Sequence, residues 1–128
     1  MIPIATAGAP APAGHYSQAI VHGGLVYVAG QLPIDPADRG AEPGPIGAQT
    51  ERALRNVEAI LEAAGSDLAH LLSVTVYVTD IADWPLVNEA YARVLGPHRP
   101  ARAVVPVTTL HHGYLVEIQA IAAVRSGA

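Results

Sequence analysis

The order of elements in this sequence predicts an α+β domain, β-β-α-β-α-β-β, with one mixed sheet carrying two helices on a single face. Three observations predict it. Two apolar runs flank Gly23-Gly24, which is a hairpin signal. Two segments, beginning near Ile46 and Asp83, change to the three- and four-residue spacing of amphipathic helices. Between and after them lie runs of period two, rich in valine and isoleucine.

The elements follow in order. Residues 1–14 are rich in Ala and Pro and are expected to form an extended lead-in. Tyr16 to His22 and Leu25 to Ala29 are the hairpin strands. Pro33 to Pro45 holds four prolines and two glycines and is expected to be loop. Ile46, Thr50, Leu54, Val57, Leu61 and Ala64 form the buried stripe of the first helix. Pro45 suits its first turn and Gly65 the position just past its end. Leu72 to Thr79 alternates strictly and predicts a strand. Asp83 is expected to cap the second helix, with Pro85 in its first turn, Val87, Tyr91, Val94 and Leu95 as its stripe, and Gly96 at its end. Two closing strands, about Arg102 to Thr109 and Leu115 to Val124, are joined by a turn at His111-His112-Gly113. Pro106 cannot donate to a ladder, so it predicts a bulge or an edge strand. Both parities of the last strand are largely apolar, which implies a sheet buried on both faces. The sequence offers no third layer, so another subunit is the expected cover.

Composition narrows the chemistry. The 128 residues suffice for one domain, expected to span 1–128. No apolar run approaches the ~20 residues of a membrane span, and the start of the chain lacks a basic, then apolar, leader. A cytoplasmic protein without a membrane partner is therefore expected. There is no Cys, and all seven basic residues are Arg, so thiolate and lysine Schiff-base chemistry are excluded. A net charge of −4, scattered arginines and six aromatics argue against a nucleic-acid surface. Among the six histidines only His111 and His112 are adjacent, and zinc-ligand spacing is missing, so neither a metal nor a cofactor is expected. No serine lies in a nucleophile-elbow context, and Gly40, Gly44 and Gly47 fit no phosphate loop.

The most informative stretch is Pro100-Ala101-Arg102-Ala103-Val104-Val105, a permanent cation heading an apolar strand. An arginine so placed requires an anion, and a guanidinium grips a carboxylate through two parallel hydrogen bonds. A pocket for a small carboxylate is the expected use of Arg102.

Six pieces of the chain, in order, resemble the Rid family (YjgF/YER057c/UK114), whose best-known members are enamine/imine deaminases. They are His15-Tyr16-Ser17-Gln18-Ala19, Ala29-Gly30-Gln31-Leu32-Pro33, the helix from Gln49 to Gly65, Val87-Asn88-Glu89-Ala90-Tyr91, Pro100-Ala101-Arg102 and Val116-Glu117-Ile118-Gln119-Ala120-Ile121-Ala122. The resemblance implies a homotrimer with clefts between subunits. It implies that Arg102 pairs with the substrate carboxylate and that Tyr16 lines the cleft. Gly30 and Gln31 would form the adjoining loop, Asn88 would stand near the site, and the Val104 backbone would reach the carboxylate. Deaminase members commonly carry Ile-Glu-Ala where this chain has Ile118-Gln119-Ala120, and that glutamate is thought to position or activate water. Gln119 can orient a water but cannot take its proton. Glu117 is expected to be a salt-bridge partner instead. Ala103 replaces a common serine. The implied function is hydrolysis of reactive enamines or imines, such as 2-iminopropanoate, to 2-keto acids and ammonia, with Arg102, Gln119 and Tyr16 as the catalytic set. The alternatives are a dedicated pathway step (another deamination, a tautomerisation, a condensation or cyclisation) and a non-catalytic acid-binding trimer. Ribonuclease activity, attached to some relatives, is the least supported.

Overall fold

The computed structural model describes residues 1–126. It has six strands: β1 (Ile2–Ile4), β2 (Ala19–His22), β3 (Leu25–Gln31), β4 (Leu71–Val78), β5 (Ala101–Pro106) and β6 (Val116–Ala123), with helices α1 (Ile46–Ala63) and α2 (Trp84–Leu95). They form one mixed sheet in the order β1-β2-β3-β6-β4-β5. Only β4 and β5 run parallel, as a connection through α2 requires. The predicted class holds, with a short first strand added.

That added strand corrects the expectation of a structureless lead-in. Ile2 to Ile4 pairs with Val21 to Ala19 along the edge of β2. The segment that follows is held by Gln18, a fully buried amide. Its Oε1 accepts from the Thr6 amide at 2.7 Å. Its Nε2 donates to the carbonyls of Thr6 and Pro10, at 3.0 Å each. An Ala/Pro-rich chain has little side-chain surface with which to dock, so a buried amide supplies the attachment. Strand β2 begins at Ala19, later than the expected Tyr16.

Both helices lie on one face. Leu54, Val57, Ile60 and Leu61 of α1, and Val87 and Tyr91 of α2, pack over Val26, Val28, Val74, Val76, Ile118, Ala120 and Ala122. The helix ends follow their sequence signals with one exception. Gly65, at φ 81°, ends α1. There Ser66 N–H reaches Leu61 O at 2.8 Å and Gly65 N–H reaches Glu62 O at 3.2 Å, the two bonds of a Schellman turn. Gly96, at φ 64°, ends α2. The expected cap by Asp83 is not made: Asp83 is already helical in backbone and its carboxylate holds no amide. Asp80 takes that role three residues earlier, accepting from Ala82 N–H at 2.9 Å at the start of a short 3₁₀ turn that leads into α2. Pro106 closes β5, an edge strand, as its missing N–H demands.

The opposite face of the sheet is open in the single chain. Tyr27 is 44% exposed there and pairs with the half-buried Ile121. The two-sided apolar pattern of β6 therefore has only one of its covers within the protomer. Among the described residues no helix is long and apolar enough to cross a membrane.

Replacing Gln18 by Leu keeps the volume and removes the side-chain bonds to Thr6, Ala9 and Pro10, while the β1–β2 ladder stays. The expected cost is about 1–3 kcal/mol, from amide and carbonyl groups left without partners. Denaturant unfolding measures the loss, and hydrogen exchange at the Thr6 amide should quicken. Unchanged exchange at Thr6 would show that the segment is held by something else.

Candidate active site

Two groups of functional side chains face opposite sides of the sheet. The first gathers around Arg102. On β5, Arg102 pairs in register with Val74 and therefore points to the helix side, half-buried. Its Nη1 donates to Asn88 Oδ1 of α2 at 2.9 Å. The guanidinium carbon lies 4.8 Å from the ring centre of Tyr91 and 5.9 Å from that of Trp84. These contacts orient the cation without neutralising it. Among the described residues no Asp or Glu forms an ion pair with Arg102. Tyr91 is 7% exposed, burial raises its hydroxyl above the ordinary phenol range, and that hydroxyl has no partner. Val104 lies on the same face two residues along and packs against the core.

The second group lines a cavity of about 570 Å³ on the other side. Its walls include Tyr16, Gly30, Gln31, Arg39, His111 and Glu117. Three of the anticipated residues, Tyr16, Gly30 and Gln31, therefore stand together. Tyr16 is 52% exposed and accepts from the Ala13 amide at 3.3 Å through its hydroxyl. Gln31 is buried and donates to Ala29 O at 3.3 Å. The β3–β6 register breaks between Val28 and Gln31, an irregularity of the kind that re-aims side chains beside active sites. Asn56 of α1 holds the next part of the wall. Its Nδ2 donates to the carbonyls of Leu32, at 3.1 Å, and Ile34, at 2.9 Å.

Gln119, expected in the site, is exposed and accepts from the Tyr77 hydroxyl at 3.0 Å. It is not part of the cavity wall. Glu117, two residues before it, is. The expectation that Glu117 serves in a salt bridge fails, since among the described residues it makes none. Burial raises its carboxyl above the usual range, partly opposed by the charge of His111. A Cβ placed on Gly30 would lie 2.9 Å from Glu117 Oε2, so the acid rests directly on the bare backbone of β3. The signal for Glu117 was present as an acid inside an apolar strand, the same logic that singled out Arg102. Asn56 and Tyr91 had no signal beyond a polar group on a helical stripe.

The two groups do not meet within one chain. Arg102 and Glu117 point to opposite faces, β4 lies between their strands, which sets the strands about 10 Å apart, and the two residues stand three positions out of register along them.

A family model described as Endoribonuclease L-PSP matches residues 6–124. The chain belongs to this family, the YjgF/Rid family. This Rid protein is 47% identical over 119 residues to a RutC family protein of Pyrococcus horikoshii, covering 93% of this chain and 94% of that one. It is 42% identical over 119 residues to the 2-iminobutanoate/2-iminopropanoate deaminase of Bos taurus, covering 93% and 87%. Among solved structures, E. coli TdcF with bound serine superposes with a TM-score of 0.92 at 36% identity, over 98% of this chain and 100% of that one.

The raised carboxyl of Glu117 has a stability signature. A folded-state value above the unfolded one means that the folded protein binds this proton more tightly. The stability it contributes is complete at low pH and is lost as pH rises from the unfolded value through the folded one. Glu117→Gln should therefore melt higher than the parent at pH 8, and the two curves should converge near pH 4. Parallel curves across that range would show that the carboxyl is not perturbed.

Proposed function

We propose that this Rid protein hydrolyses 2-imino acids (or the enamines in equilibrium with them) to 2-keto acids and ammonia, in clefts completed by a neighbouring copy of the chain. The observation that carries the reading is the division of the site. A carboxylate anchor without an anionic partner and a perturbed carboxyl in a cavity lie on opposite faces, and a small acid touches both only across protomers. A homotrimer, with the open sheet face turned inward, supplies that arrangement and covers Tyr27 and Ile121. Deaminase relatives at 42% identity and a relative holding an amino acid, serine, support the same substrate class.

The chemistry follows from the two groups. Arg102, steadied by Asn88 and Tyr91, takes the substrate carboxylate through its remaining donors. That places the imine carbon in the cavity of the adjoining protomer, beside Gly30 and Glu117. Glu117 takes a proton from water as the oxygen adds to the imine carbon. Burial makes its carboxylate a stronger base than an exposed one, which suits it to this step near neutral pH. The tetrahedral carbinolamine then expels ammonia and leaves the keto acid. Imines of this kind are labile, so orientation and proton transfer within the cleft supply acceleration enough. Gln119 lies outside this arrangement, so an amide at that position removes no base. The ribonuclease in the family description lacks a basic surface here, with net charge −4.

The test uses 2-iminopropanoate generated in situ from alanine by an amino-acid oxidase, with pyruvate formation followed against a buffer control. Arg102→Ala and Glu117→Gln should each abolish the acceleration while the fold persists. Co-refolding the two inactive variants in equal amounts should restore activity to about a quarter of the parent level. A mixed closed ring rebuilds that fraction of clefts with both groups intact. Activity in either variant alone defeats the assignment of its residue, and no recovery on mixing defeats the shared cleft.

A further inference from the structure

The turn His111–Gly113 projects two imidazoles at the cavity that holds Glu117, and nothing in the scheme above uses them. The turn is built rather than slack. His112 takes φ 60° and ψ 19°, a left-handed conformation that costs a non-glycine residue about 1–3 kcal/mol. Gly113 follows at φ 73°. Tyr114 N–H returns to His111 O at 3.3 Å. The buried Tyr114 ring meets the His112 ring edge-on, at 6.2 Å between centres and 82° between planes. Gln49 of α1 fixes the far end by accepting from Leu115 N–H at 2.9 Å. Strain of this kind persists where the surroundings hold a side chain in a set direction. Here the result is that His111 stands on the cavity wall close to Glu117, near enough for its charge to favour the carboxylate.

We propose that His111 is a second acid–base residue of the cleft, moving a proton between the nitrogen and the oxygen of the tetrahedral intermediate that Glu117 creates. The inference rests on the deaminase reading. With the substrate bound as the iminium, addition of water leaves a neutral carbinolamine and a proton on Glu117, and the carbinolamine nitrogen must gain a further proton before the C–N bond breaks. Protonated His111 gives it. The C–N electron pair leaves with ammonia, the hydroxyl oxygen closes to the keto group, and the hydroxyl proton passes back to His111. The imidazole ends the cycle as it began, and the proton on Glu117 leaves to solvent or ammonia. Imidazole suits both transfers because it changes charge near neutrality. The other groups on this wall are Tyr16, from the N-terminal segment, Arg39, from the loop after β3, and His112, from the same turn. A tyrosine and an arginine hold their protons at neutral pH, and His112 is turned onto Tyr114.

The in situ 2-iminopropanoate assay, run on the intact assembly, tests the inference. His111→Gln should lower kcat about a hundredfold, the scale of a lost proton donor, with KM little changed. Added imidazole should restore part of the rate to His111→Ala and none to Glu117→Gln. Wild-type kcat in His111→Gln, where Glu117→Gln is inactive, overturns the role of His111 and leaves that of Glu117 standing. A fall in kcat that imidazole does not rescue reduces His111 to a structural part of the turn and also overturns the inference. Activity retained in Glu117→Gln overturns the underlying deaminase mechanism, and the His111 step falls with it.

Discussion

Side chains on a strand alternate between faces, and in this protein that alternation fixes what can be done where. Arg102 and Glu117 are each the charged member of an apolar strand, and they emerge on opposite sides of one sheet. Among the described residues neither forms an ion pair, although His111 lies near enough to Glu117 to favour its charged form. Taking a charge out of water without a partner is costly, so on the function proposed above a substrate carboxylate would compensate the cation, and a proton the acid. On that proposal assembly and chemistry are one requirement.

The scaffold around each group shows the same economy. Asn88 and Tyr91 sit on one face of α2 at a spacing of three, so the helix presents a hydrogen-bond acceptor and an aromatic plane to the same guanidinium. On the other side, the wall from Leu32 to Ile34 lies beyond the end of β3, where no ladder holds it. Asn56 of α1 supplies the bonds instead, with both its amide hydrogens on carbonyls of the wall. Each helix thus serves a different half-site while both share one hydrophobic seam against the sheet.

Much of this was legible in the sequence because it is local. Gly23-Gly24, Gly65 and Gly96 each impose a backbone conformation and mark the boundary they predict, while Pro106 lies on an edge strand as predicted but also ends it, three residues short of the expected Thr109. Strand β1 was not legible, since three residues carry no period and pair with β2 across the chain, and the Ala/Pro-rich segment after it is held by Gln18, twelve residues away from the Thr6 it binds. The cap on α2 was misplaced because Asp80 and Asp83 are equally good acceptors, and only the backbone conformation distinguishes them. A cation in an apolar strand singled out Arg102, which the structure shows oriented by Asn88 and Tyr91. Gln119 and Glu117 share a strand face, so parity could not separate them. What separates them is the irregularity in β3 that brings Gly30 up to one and not the other.

That approach changes what the glycine at position 30 is for. Its φ is not in the left-handed range, so the chain there would tolerate an alanine as readily as any strand residue does. The obstacle is across the sheet, where a methyl group would occupy the resting place of a carboxylate oxygen. Room for a side chain at this residue is therefore limited by the reach of an acid on the adjacent strand, and an alanine there would displace that carboxylate from the backbone it rests on.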